Sequence, residues 1–266
     1  MNRIFVMDSR GLKLRHQRPI YANEQWIVKP GGTIQALQSK AEDAVEKLQQ
    51  LGVADSQIQI ILGAGICNLT EKKRSNSGVE VNYNANGNAH KTIEAINHFK
   101  DQFELLGIRV LVIPIPPVSI IKYNDYLIKH GKLHIPEISQ AALILQQRGL
   151  ENDIEEINSH IWSVNWLAGL KTPRWERDLL KFQVKRGKRY KKHTYHELYD
   201  GVHPTNAPAG KWLKYLIRAI EDQGIANAPI NVQEEDDDDD DNDDVGLIDC
   251  GPVNCFSIED HSYRYN

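Results

Sequence analysis

Short runs of aliphatic and β-branched residues alternate with longer stretches in which apolar positions recur every three or four residues, and this alternation constrains the fold more than any other feature of the chain. Arg3 to Met7 reads as a buried strand, ended by the polar turn Asp8-Ser9-Arg10-Gly11. Gln25 to Lys29 is a second short strand, closed by Pro30-Gly31-Gly32. Thr33 then caps a helix with Ile34, Leu37, Ala41, Ala44, Val45 and Leu48 on one face and Gly52 as its stop. Ile58 to Leu62 is a third strand, running into the loop Gly63 to Thr70. A polar loop through Asn88 leads to a helix carrying Ile93, Ile96, Phe99, Phe103 and Leu106, and Gly107 precedes a fourth strand, Val110 to Ile115. Further helices fit Ile138 to Gln147, Ile154 to Leu167 and Lys211 to Glu221. Strands and helices in strict alternation predict an α/β fold, a mainly parallel sheet covered by helices on both faces, with ligands beyond the C-terminal strand ends.

Charge divides the 266-residue chain. From Asn231 onward thirteen acidic residues stand against one basic residue, Arg264, for a net −12, while residues 1–230 have 31 basic against 23 acidic residues and carry +8. The run from Glu234 to Asp244 repels itself and has little to bury, so a domain over residues 1–225 and an acidic, largely disordered tail over 226–266 are expected. No apolar run reaches the length of a membrane helix, because the stretch from Arg109 to Ile121 is broken by Pro114, Pro116 and Pro117. The first nine residues turn polar too early for a secretion signal, and an intracellular or virion location is expected.

Several chemically capable residues fall at the expected strand ends. Ser9 follows the first strand, Gly31 and Gly32 the second, and Cys67 and Asn68 the third. A fourth cluster, Tyr199-Asp200-Gly201-Val202-His203-Pro204-Thr205, precedes the last helix. Asp200 and His203 are close enough in sequence for one turn to present both. The carboxylate then holds the imidazole while its other nitrogen faces a serine. Alone, Ser9 is an ordinary turn serine and Cys67 a small buried residue. Only the set points to acyl transfer.

With these residues in place, the chain from about Ile4 to Ile220 resembles the SGNH or GDSL hydrolases. Met7-Asp8-Ser9 is similar to the family's Gly-Asp-Ser block, with the aspartate and serine kept and the glycine replaced. Pro30-Gly31-Gly32-Thr33 matches the block whose glycine N–H is an oxyanion donor, with Gly31 in that place and Gly32 one residue away. Gly65-Ile66-Cys67-Asn68 matches the Gly-x-Asn-Asp block with Cys67 at the asparagine position. Asp200-Gly-Val-His203-Pro204 matches the Asp-x-x-His-Pro block outright. The resemblance implies a three-layer α/β/α sandwich with a flavodoxin-like sheet. It also implies a cofactor-free esterase for small acyl or acetyl esters, with Ser9, His203 and Asp200 as the catalytic residues. The oxyanion donors would be Ser9, Gly31 and either Cys67, a weak thiol donor, or Asn68, a good amide one position along. The sequences Asp8-Ser9-Arg10-Gly11, Gly65 to Thr70 and Leu198 to Thr205 also resemble SGNH-like domains of retrotransposon and virus-like reading frames.

Other motifs point elsewhere or nowhere. Gly63-Ala-Gly65 lacks the third glycine of a dinucleotide fingerprint, so no NAD site is expected. His193, His196 and Glu197 match no zinc order, and no metal is expected. Three cysteines, Cys67, Cys250 and Cys255, make no disulfide framework. Trp162, Trp166, Trp175 and Trp212 are expected in core or half-buried positions. Lys181 to His193 holds seven lysines and arginines in thirteen residues, interleaved with Phe182 and Tyr190. Lys185, Arg186, Lys188, Arg189, Lys191 and Lys192 are therefore either a nucleic-acid contact in a catalytically degenerate binding module or a solvated loop. The oligomeric state is not legible.

Overall fold

The computed structural model describes residues 1–19, 21–84, 88–134, 136–175, 179–185 and 188–221. The acidic run, its domain boundary, Cys250 and Cys255 lie outside the described residues. Strands β1 (Asn2–Met7), β2 (Glu24–Val28), β3 (Ile58–Gly63) and β6 (Arg109–Val112) form one sheet in the order β2-β1-β3-β6. All three pairings are parallel, with Val6 opposite Ile27 on one side and Leu62 on the other. Helices α1 (Gly11–His16), α2 (Ile34–Gln50), α4 (Ala89–Glu104), α5 (Ile120–Lys129), α6 (Gln140–Leu167) and α7 (Asn206–Glu221) surround it. A one-turn helix, α3 (Ile66–Leu69), and two antiparallel hairpins, β4 (Thr70–Ser75) with β5 (Gly78–Tyr83) and β7 (Leu180–Lys185) with β8 (Lys188–His193), complete the order.

The strand period of two sorts the core into two layers. Ile4, Val6, Ile58, Ile60, Leu62, Val110 and Val112 share one core with Leu37, Ala41, Phe99, Phe103, Ile154 and Ile157 of α2, α4 and α6. The intervening Phe5, Met7, Ile61 and Leu111 share the opposite core with Leu14 of α1 and Trp212, Leu216 and Ile220 of α7. Burial on both faces is why these strands read as unbroken apolar runs. Trp175 stacks on Trp212 at 5.2 Å between ring centroids, and Trp162 is half-buried. Trp166 departs from the expected core or half-buried position: it is 76% exposed on the last turn of α6. No helix among the described residues is long and apolar enough to cross a membrane.

Three elements differ from the sequence expectation. The helices expected over 138–147 and 154–167 are one 28-residue helix, α6. Gly149 sits inside it because Tyr83 packs there: a Cβ at Gly149 would lie 3.0 Å from the Tyr83 ring, whose hydroxyl donates to Asp153 Oδ2 at 2.7 Å. The polar stretch before Asn88 holds the β4–β5 hairpin, which hid because β4 (Thr-Glu-Lys-Lys-Arg-Ser) is mostly exposed and lacks an apolar face. The proline-rich segment after β6 opens into α5, capped by Ser119 through its hydroxyl and the Lys122 N–H.

That segment, from Val112 to Ile120, has no strand on its outer side among the described residues, yet it is buried. Side-chain carboxamides take the missing strand's place. Asn165 Oδ1 accepts from Val112 N–H at 3.2 Å and its Nδ2 donates to Val112 C=O at 2.7 Å. Asn158 does the same for both groups of Ile115, at 2.7 and 2.8 Å. Gln147 accepts from Ile120 N–H and donates to Val118 C=O, each at 2.9 Å. All three lie on α6, at spacings that return to the same helical face. Asn124 of α5 repeats the device on Val81 of β5, at 2.8 Å in both directions. Replacing Asn165 by leucine keeps the branched heavy-atom shape of the side chain and orphans two buried backbone groups, each costing about 1–3 kcal/mol. Urea unfolding of Asn165→Leu is therefore expected to show a clearly lower midpoint with an unchanged m-value.

Candidate active site

At the C-terminal end of β1 the chain turns sharply, with Gly11 N–H donating to Asp8 C=O at 3.0 Å and Leu12 N–H to Ser9 C=O at 3.3 Å. A buried ion pair fastens the turn. Asp8 Oδ1 accepts from the Arg10 backbone N–H at 3.1 Å and from Arg10 Nε at 2.9 Å, and Oδ2 accepts from Nη2. Ser9, between them, is held toward the cleft. Met7 occupies the place of the expected glycine, and glycines around it make the room. A Cβ on Gly11 would stand 2.5 Å from Met7 Cβ, and one on Gly63 would stand 3.3 Å from Met7 Cε.

Ser9 Oγ lies 2.7 Å from His203 Nε2, and His203 Nδ1 lies 2.6 Å from Asp200 Oδ2. A carboxylate only accepts, so Nδ1 carries the proton and the Nε2 lone pair faces the serine hydroxyl. Asp200 is itself locked: its Oδ1 accepts from Val202 N–H at 3.0 Å and His203 N–H at 2.7 Å. Gly201 adopts a positive φ of +88°, and a Cβ there would fall 2.6 Å from Ser119 C=O, while its own C=O accepts from Ser119 N–H at 2.7 Å. The histidine loop is thus docked on the start of α5.

On the other side of Ser9, Gly31 lines the same cleft with φ +71°. Neither the Ser9 nor the Gly31 N–H donates to an acceptor among the described residues. Successive residues of the one-turn α3 point about 100° apart, which separates the two candidates for the third donor. Cys67 lines the cleft. Asn68 does not: its Oδ1 accepts from Ile34 N–H at 3.1 Å and its Nδ2 donates to Gln35 Oε1 at 2.9 Å, so its amide ties α3 to the first turn of α2, next to Gly31. Burial pushes the Cys67 thiol up to about 11; Asp8 adds to this, and Arg10 and Lys72 partly offset it. The thiol stays protonated and is no nucleophile at neutral pH.

The cleft encloses about 400 Å³. Its apolar wall comes from Ile66, Val81, Val118, Ile120, Tyr123 and Val202. Val81 belongs to the unexpected hairpin and Ile120 and Tyr123 to α5, so the sequence reading missed one whole side of the site. The period-2 pattern Val79-Glu-Val-Asn-Tyr83 after Asn76-Ser77 was the available signal. Lys185, Lys188, Arg189, Lys191 and Lys192 fall on the β7–β8 hairpin rather than in a loop, and Arg186 lies outside the described residues.

Burial opposes ionisation of Asp200, but hydrogen bonds from the His203 ring, the His203 backbone and the Val202 backbone outweigh it and hold its pKa below the usual 3.8. A carboxyl depressed in the folded state contributes stability above its unfolded pKa and loses it as pH falls through the folded value. The stability difference between the native protein and Asp200→Asn is therefore expected to shift against the native protein below about pH 4, as read by urea titrations along a pH series.

No protein-family profile matches the chain, and no curated protein sequence does. Solved structures do. A GDSL-like lipase from Bacteroides thetaiotaomicron aligns over 83% of this chain and 87% of its own at 15% identity, with a TM-score of 0.53. A candidate acylhydrolase from Bacteroides fragilis aligns over 83% and 86% at 12% identity, also with a TM-score of 0.53. At such identities the likeness is one of backbone architecture. With its parallel β2-β1-β3-β6 sheet between two helical layers, the chain has the SGNH hydrolase fold, the fold of the GDSL-like lipases.

Proposed function

We propose that the protein is a serine esterase that cleaves small acyl or acetyl esters without a cofactor. The observation that carries this reading is the continuous hydrogen-bonded line Ser9 Oγ, His203 Nε2, His203 Nδ1, Asp200 Oδ2, at 2.7 and 2.6 Å, opening into an apolar cleft. Ser9 attacks the ester carbonyl as His203 takes its proton, and Asp200 stabilises the imidazolium that forms. The oxyanion is held by the free N–H groups of Ser9 and Gly31, with Cys67 a weak third donor. His203 then protonates the leaving alcohol, and water, activated by the same imidazole, releases the acyl group from Ser9. Asn68 acts from behind, by holding the start of α2 beside Gly31.

The test pairs a fluorophosphonate probe with nitrophenyl acetate and butyrate. Labelling at Ser9 is expected, with turnover reduced by about 10³-fold or more in both Ser9→Ala and His203→Ala and by less than about tenfold in Cys67→Ala, since a thiol donates weakly. Equal turnover in the native protein and the Ser9 and His203 variants overturns the reading.

A second reading, a nucleic-acid-binding module of mobile-element or viral type, is favoured by one observation. The β7–β8 register pairs Lys181 with Lys192 and Lys185 with Lys188. Like charges opposed in a ladder are unfavourable until a polyanion neutralises them. Under this reading single-stranded RNA binds the native chain, and replacing Lys185, Arg186, Lys188 and Arg189 by serine lowers the slope of log affinity against log salt by about 0.7 for each phosphate that is no longer neutralised. An unchanged slope, measured by fluorescence anisotropy, removes the hairpin from the account.

A further inference from the structure

The catalytic line does not use the charged rim of the cleft. Leu12, Lys13 and His16 lie on α1, which begins just after the Ser9 turn, and all three line the cleft together with Ser9. Lys72 of β4 lines it as well. No aspartate or glutamate is among the described lining residues. The acids closest in sequence to the reacting groups sit behind the surface: Asp8 is fully buried and paired with Arg10, and Asp200 is buried behind His203.

Neither lysine is paired with an acid among the described residues. Lys13 Nζ is 3.5 Å from the neutral Asn206 Oδ1 and 5.9 Å from the centroid of the Tyr199 ring, which in turn stacks on His203 at 5.7 Å. These partners steer the ammonium toward the histidine side of the cleft without cancelling it. Lys72 has no acidic partner among the described residues, since neighbouring Glu71 pairs with Lys73 instead. Its charge is felt at Cys67 on the cleft wall. A cleft with one sign of charge at its rim and low-dielectric walls focuses its field on an incoming anion.

We propose that Lys13 and Lys72 make this site selective for small esters that carry an anionic group, a carboxylate or phosphate, a few bonds from the scissile carbonyl. The inference takes the reacting bond from the esterase reading and adds the class of substrate. The apolar wall takes the uncharged part of the molecule, and the two ammonium groups take the anion, drawing the ester in and fixing which way round it lies against Ser9.

Three chromogenic esters test this. They are 4-nitrophenyl butyrate, mono-4-nitrophenyl glutarate, with the carboxylate on the acyl side, and 3-butyryloxy-6-nitrobenzoate, with the carboxylate on the leaving phenol. Each rate is divided by the rate of the same ester with hydroxide, which removes intrinsic reactivity. At low salt, kcat/KM for one of the two anionic esters is expected to exceed that of the neutral ester by roughly tenfold or more, and the arm that responds tells whether the anion belongs to the acyl or the alcohol side. The ratio should fall toward one in Lys13→Gln/Lys72→Gln and in high salt. A ratio near one in the native protein, or one that survives the double substitution, overturns the proposal while leaving the esterase reading intact. If none of the esters is turned over, the esterase reading fails by itself. The charge selectivity is then decided by calorimetry on the folded Ser9→Ala protein with N-phenylglutaramate against neutral butyranilide: preference for the anion, lost with the two lysines, sustains it, and equal binding ends it.

Discussion

Everything that presents the histidine to the serine depends on a set of side-chain amides standing in for a β-strand. From the end of β6 the chain runs buried from Val112 to Ile120 with no strand on its outer side among the described residues, and unpaired backbone groups there would each cost about 1–3 kcal/mol. Asn165, Asn158 and Gln147 of α6 pair with those groups in both directions. Prolines at 114, 116 and 117 lack a donor and so reduce the number of groups to be matched. The segment thereby becomes rigid up to Ser119. Ser119 N–H holds Gly201 C=O, and Gly201 stands between Asp200 and His203. A helix on the outer edge of the sheet is thus linked to the His203 imidazole through three steps.

The serine is held by different means. Its turn is closed over a buried carboxylate and guanidinium two residues apart, so that the flanking residues point inward and Ser9 is left facing the cleft. The departure at Met7 is absorbed by Gly11 and Gly63, a local exchange of volume that leaves the turn in place. The departure at Cys67 is absorbed differently. Asn68 supplies an amide to the same neighbourhood but spends it on Ile34 and Gln35, bracing the loop that carries Gly31. That amide is therefore a brace rather than a group facing the cleft, whereas the Ser9 and Gly31 N–H groups have no acceptor among the described residues.

Legibility followed burial. β1, β3 and β6 were readable because both their faces are covered, β2 from its short apolar end Trp26-Ile27-Val28, and α2 and α4 from their one-sided stripes. The β4–β5 hairpin escaped because β4 is charged and mostly exposed, and its partner is held by Asn124 and by a backbone bond from Val79 N–H to Lys132 C=O, contacts remote in sequence. The continuity of α6 escaped because Gly149 looks like a break until Tyr83 is seen to need the space. Trp166 was misplaced because an aromatic residue at a helix end carries no sign of which way that turn faces.

The sequence by itself determined the fold class, the positions of Ser9, Asp200 and His203 at strand and loop ends, and the split between a basic body and an acidic tail. These follow from local periodicity, short-range spacing and counting, none of which needs distant partners. The tertiary structure alone decided that Ser9 and His203, 194 residues apart, stand within hydrogen-bond distance. It alone decided that Cys67 rather than Asn68 lines the cleft, and that the rim carries lysines with no acid among the described lining residues. Those outcomes rest on which groups were left unpaired when the sheet, its helices and the carboxamide pairs had taken their partners, and that competition is settled only among residues far apart in the chain.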